Sequence, residues 1–360
     1  MNVTTESSRK QCRNHTSAPT TWVNGYIHAG FKVSGPYHDG MLSPTTAQDF
    51  EQHRGHLTSV AYRLTGSFSD AQDAVQETWI RLQVAQSREG ADLEIRELRG
   101  WLTTVVGRIC LDHLKSAAVR RESYVGQWLP EPIVTAVATT ASTPSATPDP
   151  LAYVVAQEQN RFAALVVLDT LTPAQRVAFV LHDGFDVPFA EVARILDIEV
   201  AAARQLASRA RKAAASAPVP VSSEEHSAAV ERLVTAIASG DLNAVIDALD
   251  PDAVLIGDAG GTTRTAVNIV RGSDRVARFY LGLARKYGPA AVFSMSPVLV
   301  NGQLGGVFAG SPGDDQYPQF AARVAGFTVR DGVVCAAYDI ANPAKFSAVP
   351  MLDHTEPERK

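Results

Sequence analysis

The 360 residues predict two all-α domains followed by an α+β domain, and three observations carry that reading. Apolar residues recur with a helical period from Ala47 to about Tyr124. A second helical segment, from about Ala156 to Ala215, contains two short helices joined by a tight turn. From Glu224 onward two helical stretches give way to alternating runs separated by Asn-Gly and Asp-Gly. The length suits two or three domains at roughly 150 residues each. Hydrophobic residues make up 45% and charged residues 20%, an ordinary globular composition and not that of a disordered, collagenous or membrane chain. A net charge of -5 is too small to imply a partner, so the distribution of charge has to be read instead. Cys12, Cys110 and Cys335 are odd in number, far apart and without CxxC spacing, which suits neither a disulfide framework nor a zinc site and fits a reducing cytoplasm. No window approaches a membrane span, and Arg9, Lys10 and Arg13 precede no apolar stretch of signal-peptide length, so no membrane is expected.

In chain order, residues 1–45 show no sustained period and read as disordered, with Met41 as an alternative start just before the first helical pattern. Residues 46–125 form the first helical domain: Leu57, Val60, Ala61 and Leu64 fall at i, i+3, i+4, i+7, and Ala71, Ala74, Val75, Thr78, Trp79 and Leu82 continue the stripe after a break at Gly66. Residues 126–155 begin with Trp128-Leu129-Pro130-Glu131-Pro132. They pass into a run of Ala, Thr, Ser, Val and Pro over 135–150 that cannot bury enough surface to fold, and read as a flexible linker. The second helical domain occupies 156–215 with about four helices, closed by a short linker at 216–225. Residues 226–347 are the α+β domain, with helices around 228–249 and 273–287 and strands around 291–300, 305–309, 321–330 and 333–340. Asn301-Gly302 and Asp331-Gly332 are the pairs that type I' hairpin turns select, because both central positions need positive φ. A helix-backed, curved antiparallel sheet enclosing a pocket is expected. Residues 348–360 form a tail, and no repeat of fixed period is present.

The sharpest local signal lies in the second domain. Phe189, Val192, Ala193 and Leu196 make one apolar face, Asp197-Ile198-Glu199 a break, and Val200, Ala203, Leu206, Ala207 and Ala210 the next face, which is helix-turn-helix spacing. Asp197 stands where glycine is commoner, and Asp tolerates left-handed backbone. The outer face of the second helix carries Arg204, Gln205, Ser208, Arg209, Arg211 and Lys212. These combine phosphate-pairing cations with side chains able to read base edges. The plainer alternative is a solvated face favouring the negative end of the helix dipole; four cations in nine positions with no acid among them favour DNA.

In the first domain Asp70, Asp73 and Glu77, with Gln76 and Arg81, form a polar stripe opposite the apolar one, by physics alone a solvated face. Trp101, Thr104, Arg108, Asp112, Lys115, Arg120 and Arg121 bring net positive charge and an aromatic edge onto the next helix and its end. That combination suits melted DNA, whose bases stack and whose phosphates need cations; Trp101 by itself would more often be core. In the third domain a catalytic reading would rest on Asp258 or Asp339 with Tyr338 as a donor, but there is no histidine between residues 227 and 353. With no P-loop, HExxH or GxSxG either, no enzyme, cofactor or metal is expected.

These residues together resemble a known family. Phe50-Glu51, His53-Arg54, Ala61-Tyr62-Arg63-Leu64-Thr65-Gly66, the run from Asp70 to Trp79, and Gly100-Trp101-Leu102-Thr103-Thr104-Val105-Val106 are similar to region 2 of extracytoplasmic-function sigma factors. Leu171-Thr172-Pro173-Ala174-Gln175-Arg176 and the run from Arg204 to Arg211 are similar to their region 4. The Trp-Leu-Pro-Glu-Pro linker and the third domain resemble the subgroup that carries a fused C-terminal SnoaL-like domain of the NTF2-like fold, which is cone-shaped. The likeness spans about residue 46 to the neighbourhood of residue 347.

The resemblance implies a subunit that binds core RNA polymerase and directs it to promoter DNA. Asp70, Asp73, Gln76, Glu77 and Arg81 then match the polymerase-binding helix. Trp101, Thr104, Arg108, Asp112, Lys115, Arg120 and Arg121 match the minus-ten reader, and Arg204, Gln205, Ser208, Arg209, Arg211 and Lys212 the minus-thirty-five reader. The fused domain acts on sigma activity in that subgroup, and its contact motifs correspond to Trp128, Pro130, Glu131 and Pro132, to Asp258 with Gly260 and Gly261, and to Asn342, Pro343 and Lys345. Thr262 stands where the subgroup's loop has lysine, and Ala344 where its terminal motif has an acid. The resemblance leaves room for a separate anti-sigma factor and for a small apolar ligand in the third domain's pocket. The alternative is a polymerase-independent helix-turn-helix regulator with a ligand-sensing NTF2-like domain, which has no use for the stripe from Asp70 to Arg81.

Overall fold

The computed structural model describes residues 44–87, 97–121, 124–137, 150–157, 160–215, 218–350 and 352. The N-terminal extension, most of the Ala/Thr/Pro run and most of the tail lie outside these residues.

Three helices open the described chain: α1 (Pro44–Thr65), α2 (Phe68–Gln86) and α3 (Leu98–Arg121). Gly66, at φ 70°, makes the break between α1 and α2, and Ser67 caps α2 by accepting from the Asp70 amide at 3.0 Å. After α4 (Pro150–Ala156) the second helical region is built from α5 (Phe162–Asp169), α6 (Pro173–Phe185), α7 (Phe189–Leu196) and α8 (Val200–Ala214). Thr172 and Gln175 form a capping box at the start of α6, with Pro173 in its first turn. Asp197, at φ 56°, ends α7 in left-handed backbone and turns the chain into α8, as the sequence predicts.

The two helical regions do not have separate cores. Leu57, Leu64, Val106 and Ile109 of the first pack in one buried cluster with Val177, Leu181, Ile195 and Ala203 of the second.

The C-terminal region is a mixed sheet with helices. Helices α9 (Ser223–Ser239) and α10 (Leu242–Asp247) lead into β2 (Leu249–Asp258) and β3 (Val270–Arg271). Then come α11 (Ser273–Tyr287), α12 (Pro289–Val292), β4 (Ser296–Val300), β5 (Gln303–Phe308), β6 (Arg323–Arg330) and β7 (Val333–Ile340). Both predicted hairpin turns form, with Asn301 and Gly302 at φ 50° and 80° and Asp331 and Gly332 at 51° and 74°.

Four expectations are corrected. The sheet is not wholly antiparallel, because β2 pairs parallel with β7. The sequence reading omits β2, whose Pro251 cannot donate to a ladder and lies where the register shifts between Leu249 and Val254. The predicted strand from Ala291 begins only at Ser296, after a helical turn opened by Pro289.

The fourth correction concerns the linker. It is not wholly flexible: β1 (Val134–Ala136) pairs antiparallel with β4 and is the edge strand of the seven-stranded order β1-β4-β5-β6-β7-β2-β3. One face of the sheet packs on α9 to α11 through Leu233, Val276, Leu255 and Phe327. The other, with Val298, Val324, Tyr338 and Ile340, is covered by Leu129 and Val134 of the linker, Phe162 of α5 and Phe346. The linker and the second helical region therefore form part of the third region's core. Among the described residues no helix is long and apolar enough to cross a membrane.

Candidate polymerase- and nucleic-acid-binding faces

Helix α2 buries Phe68, Ala71, Ala74, Val75, Thr78 and Leu82 and turns its other side outward. Asp73, Gln76 and Arg81 are exposed there, while Asp70 and Glu77 are half-buried. Arg81 donates to Glu77 at 3.0 Å across one turn. The same side carries Ile80 and Val84, 45% and 49% exposed. Sequence reasoning passed over this pair; its signal was an i, i+4 apolar couple on an otherwise polar face. Carboxylates flank these two exposed aliphatics.

Helix α3 buries Leu102, Val106, Ile109, Cys110 and Leu114. Trp101, Thr104 and Asp112 are half-buried, and Arg108 and Lys115 are exposed. From its exposed position Arg108 Nη2 donates to the carbonyl of Arg194 in α7 at 3.4 Å. At Gly107 an added Cβ would come within 3.0 Å of Leu181 Cδ1, so the glycine lets α6 lie directly against α3. The side chains of Arg120 and Arg121 lie outside the described residues.

The same junction holds a buried histidine. Arg99 donates to His56 Nδ1 at 3.1 Å, so Nε2 carries the proton and donates to Thr103 Oγ1 at 2.9 Å. The ring stands edge-on to Phe185 of α6 at 5.3 Å. Burial, with the Arg99 charge adding to it, pushes the His56 pKa down to about 4, so the imidazole is neutral.

In the helix-turn-helix, Ala203, Ala207 and Ala210 of α8 are buried, and their small side chains let α8 approach α6 closely. All six predicted reader residues, Arg204, Gln205, Ser208, Arg209, Arg211 and Lys212, are exposed on the opposite face. Arg204 lies over the Phe189 ring, 5.7 Å from its centre. An acid that the helix's own sequence does not supply comes from α6: Asp183 accepts from Arg211 Nε at 2.5 Å. If the face reads DNA, the slope of log K against log salt for promoter binding by the polymerase-bound protein is expected to fall by about 0.9 in Arg209→Ala, one phosphate's worth. Arg211→Ala should reduce it less, because Asp183 already neutralises that guanidinium. A slope unchanged in Arg209→Ala would remove that residue from the interface.

The linker and third-region residues meet around one buried ion pair. Asp258, fully buried, takes Lys345 Nζ at 2.5 Å, the Leu129 amide at 2.7 Å and the Tyr124 hydroxyl at 2.5 Å. Lys345 Nζ also donates to the Leu129 carbonyl and lies over the Trp128 ring, 4.0 Å from its centre. Asn342 donates to the Tyr124 hydroxyl at 2.9 Å. Gly260, at φ 57°, passes so close to Asn342 that no side chain fits there, and Gly261 at φ 73° lies under Val125.

Glu131 is also buried, although charged. Its carboxylate accepts from the amides of Phe68 and Ser69 at 2.8 and 3.1 Å and from the hydroxyls of Ser67, Ser69 and Ser347. A linker acid thus sits at the positive end of α2. Pro130 and Pro132 are buried on either side of it, and Pro343 is exposed at the start of the 3-10 turn Pro343–Lys345. Thr262 and Ala344, where the sequence departs from the subgroup's motifs, are both exposed, and the ion pair forms without them.

The catalytic alternative loses its geometry. Tyr338 and Asp339 are neighbours on β7 and so face opposite sides of the sheet. Tyr338 packs on Phe162 at 5.1 Å, and burial pushes its phenol up to about 12. Asp339 holds the buried Arg323 at 2.9 Å and accepts from Thr265 at 2.5 Å, and Asp258 is committed to Lys345.

Residues 50–120 match the family description Sigma-70 region 2, and residues 161–213 match Sigma-70, region 4. The chain is 54% identical over 308 residues to the ECF RNA polymerase sigma factor SigJ of Mycobacterium tuberculosis, covering 85% of this chain and 94% of that protein. It is 35% identical over 268 residues to the probable ECF RNA polymerase sigma factor SigI of the same species, covering 71% and 85%. The crystal structure of SigJ superposes with a TM-score of 0.71 at 52% identity, covering 84% of this chain and 99% of that one.

Proposed function

Because the chain belongs to the extracytoplasmic-function family of sigma-70 RNA polymerase sigma factors, we propose that its fused C-terminal region holds the sigma core in a closed form that must open on the promoter. Sigma factors of this family bind core RNA polymerase and direct transcription initiation at specific promoters, which is work done in the cytoplasm. The polymerase docks on the α2 face of Asp73, Gln76, Glu77 and Arg81 with Ile80 and Val84. Helix α3 reads the minus-ten element and α8 the minus-thirty-five element.

One observation carries the closed-form reading: α3 and the α6–α7 pair are in direct contact, with Arg108 bonded to Arg194. The two promoter elements, by their positions, lie about 25 base pairs apart, roughly 85 Å of duplex at 3.4 Å per base pair. Helices that touch cannot read both at once. Opening requires the linker to leave the sheet edge and Asp258, so the third region's hold on the linker sets how often the open form is reached. The buried ion pairs of Asp258 and Asp339 give the third region a structural use for the carboxylates that catalysis would need, and this reading assigns it no reaction. It also requires neither a separate anti-sigma factor nor a pocket ligand.

The test is a distance. Ser116 on α3 and Ala190 on α7 are both exposed. With Ser116→Cys and Ala190→Cys in a Cys12→Ser background, spin labels should give one short separation in the free protein and one longer by tens of ångströms in the transcribing promoter complex. Cys110 and Cys335 are buried and escape labelling. The same short separation in the transcribing complex would overturn the reading.

A further inference from the structure

Hairpin tips with Asn-Gly ordinarily face water, because the turn leaves polar groups without ladder partners. The tip between β4 and β5 is buried instead: Asn301 is 3% exposed. Its side-chain amide is fully used, by three segments far apart in the chain. Oδ1 accepts from the Ile133 amide of the linker at 3.0 Å. Nδ2 donates to the Tyr62 hydroxyl of α1 at 2.8 Å and to the Asn160 carbonyl just before α5 at 2.8 Å. The Asn301 amide closes a ring by donating to the Ile133 carbonyl at 2.8 Å.

Each partner is itself tied onward. The Tyr62 hydroxyl donates to the Glu131 carbonyl at 2.6 Å. Asn160 Nδ2 donates to Ser59 Oγ and to the Val154 carbonyl, both at 2.9 Å. Gly302 lies against Val155, where a Cβ would come within 3.2 Å of the carbonyl oxygen.

We infer that Asn301 is the positioning residue through which the C-terminal region sets the place of sigma region 2, region 4 and the linker together. The inference rests on the closed-form reading and names the contact that maintains it. Asparagine suits the position for two reasons. It tolerates the left-handed backbone of the turn, and its planar amide offers one acceptor and two donors in one plane. Aspartate would keep the shape but remove both donors, setting a carboxylate against the Asn160 carbonyl. Glycine would keep the turn and lose all three bonds. A hairpin that were merely packed would tolerate either substitution.

The test uses the full chain with the two spin labels and amide exchange measured by mass spectrometry. In Asn301→Gly, exchange over residues 129–137 should rise about tenfold or more, since three side-chain hydrogen bonds of ordinary strength are lost. A longer label separation should appear without polymerase, while exchange over 324–340 stays as it was. Asn301→Asp should do the same more strongly. Tyr62→Phe leaves the hairpin intact and should shift 129–137 in the same direction. Exchange over 129–137 unchanged within twofold in both Asn301→Gly and Tyr62→Phe would overturn the assignment, as would faster exchange in 324–340 with no effect of Tyr62→Phe. A short separation in Asn301→Gly alongside a longer one in Lys345→Met would sink the Asn301 assignment and leave the closed form standing. A short separation in the transcribing complex would sink the closed form itself.

Discussion

Asp73→Lys with Glu77→Lys is expected to abolish polymerase-dependent transcription while leaving the fold intact. Asp73 and Glu77 lie on the outer side of α2, and the one described bond between side chains that the change breaks is the exposed pair of Glu77 with Arg81. Such i, i+4 pairs contribute about 0.3–0.5 kcal/mol. Binding is affected far more, because two negative charges become two positive ones in the middle of the docking face. Like charges brought together across an interface cost several kcal/mol, and about 3 kcal/mol corresponds to roughly a hundredfold in affinity. Pull-down by core polymerase and circular dichroism on the same preparations separate the two effects. Unchanged pull-down would remove α2 from the polymerase interface. Ile80→Glu should weaken binding as well, because it places a charge among the aliphatics that the partner must cover.

The second large effect is expected at Lys345. Asp258 is fully buried and Lys345 is 5% exposed, so Lys345→Met leaves a carboxylate in the interior with its cation gone. Removing one partner of such a pair typically destabilises by about 3–5 kcal/mol. The Tyr124 hydroxyl and the Leu129 amide still donate to Asp258 and offset part of this. The loss falls where the linker meets the sheet, so it should appear as freer linker exchange and a larger open population, beyond a lower melting temperature. Asp258→Leu combined with Lys345→Met should recover much of the stability, since replacing both members by apolar groups leaves no stranded charge. Urea unfolding of the wild type, the two single variants and the double variant closes the cycle. Additive losses would mean that the pair is not coupled as the 2.5 Å separation requires.

How much of this was legible in the sequence depends on the range of the interaction. Signals confined to a few residues came through: the left-handed Asp197 between α7 and α8, both Asn/Asp-Gly hairpin turns, and the exposed cations of α8. The strand β2 was missed: the sequence reading carried a helix to residue 249 and assigned no element between there and 273. Its pairing is supplied by β7, about eighty residues away.

Signals that need two distant segments were partly visible at best. The motif residues Glu131, Asp258 and Lys345 could be picked out by resemblance, but nothing in their local sequence says that Lys345 meets Asp258, or that Glu131 reaches back to the start of α2. Arg108 reads as a free DNA-facing cation in sequence and is bonded to the next domain in the fold. Asp339 and Tyr338, which a catalytic reading would need together, lie on opposite sides of the sheet.

By itself, then, the chain determined its helix-turn-helix, its two hairpin turns and the charge on the helix faces, because helix period and turn chemistry act between residues a few positions apart. Tertiary structure decided that regions 2 and 4 share one core, that the linker becomes an edge strand, and that a hairpin tip at Asn301 is buried among three segments. Those outcomes depend on which apolar faces meet and on whether every buried donor and acceptor finds a partner. That matching is made between segments tens to hundreds of residues apart, where no local pattern carries it.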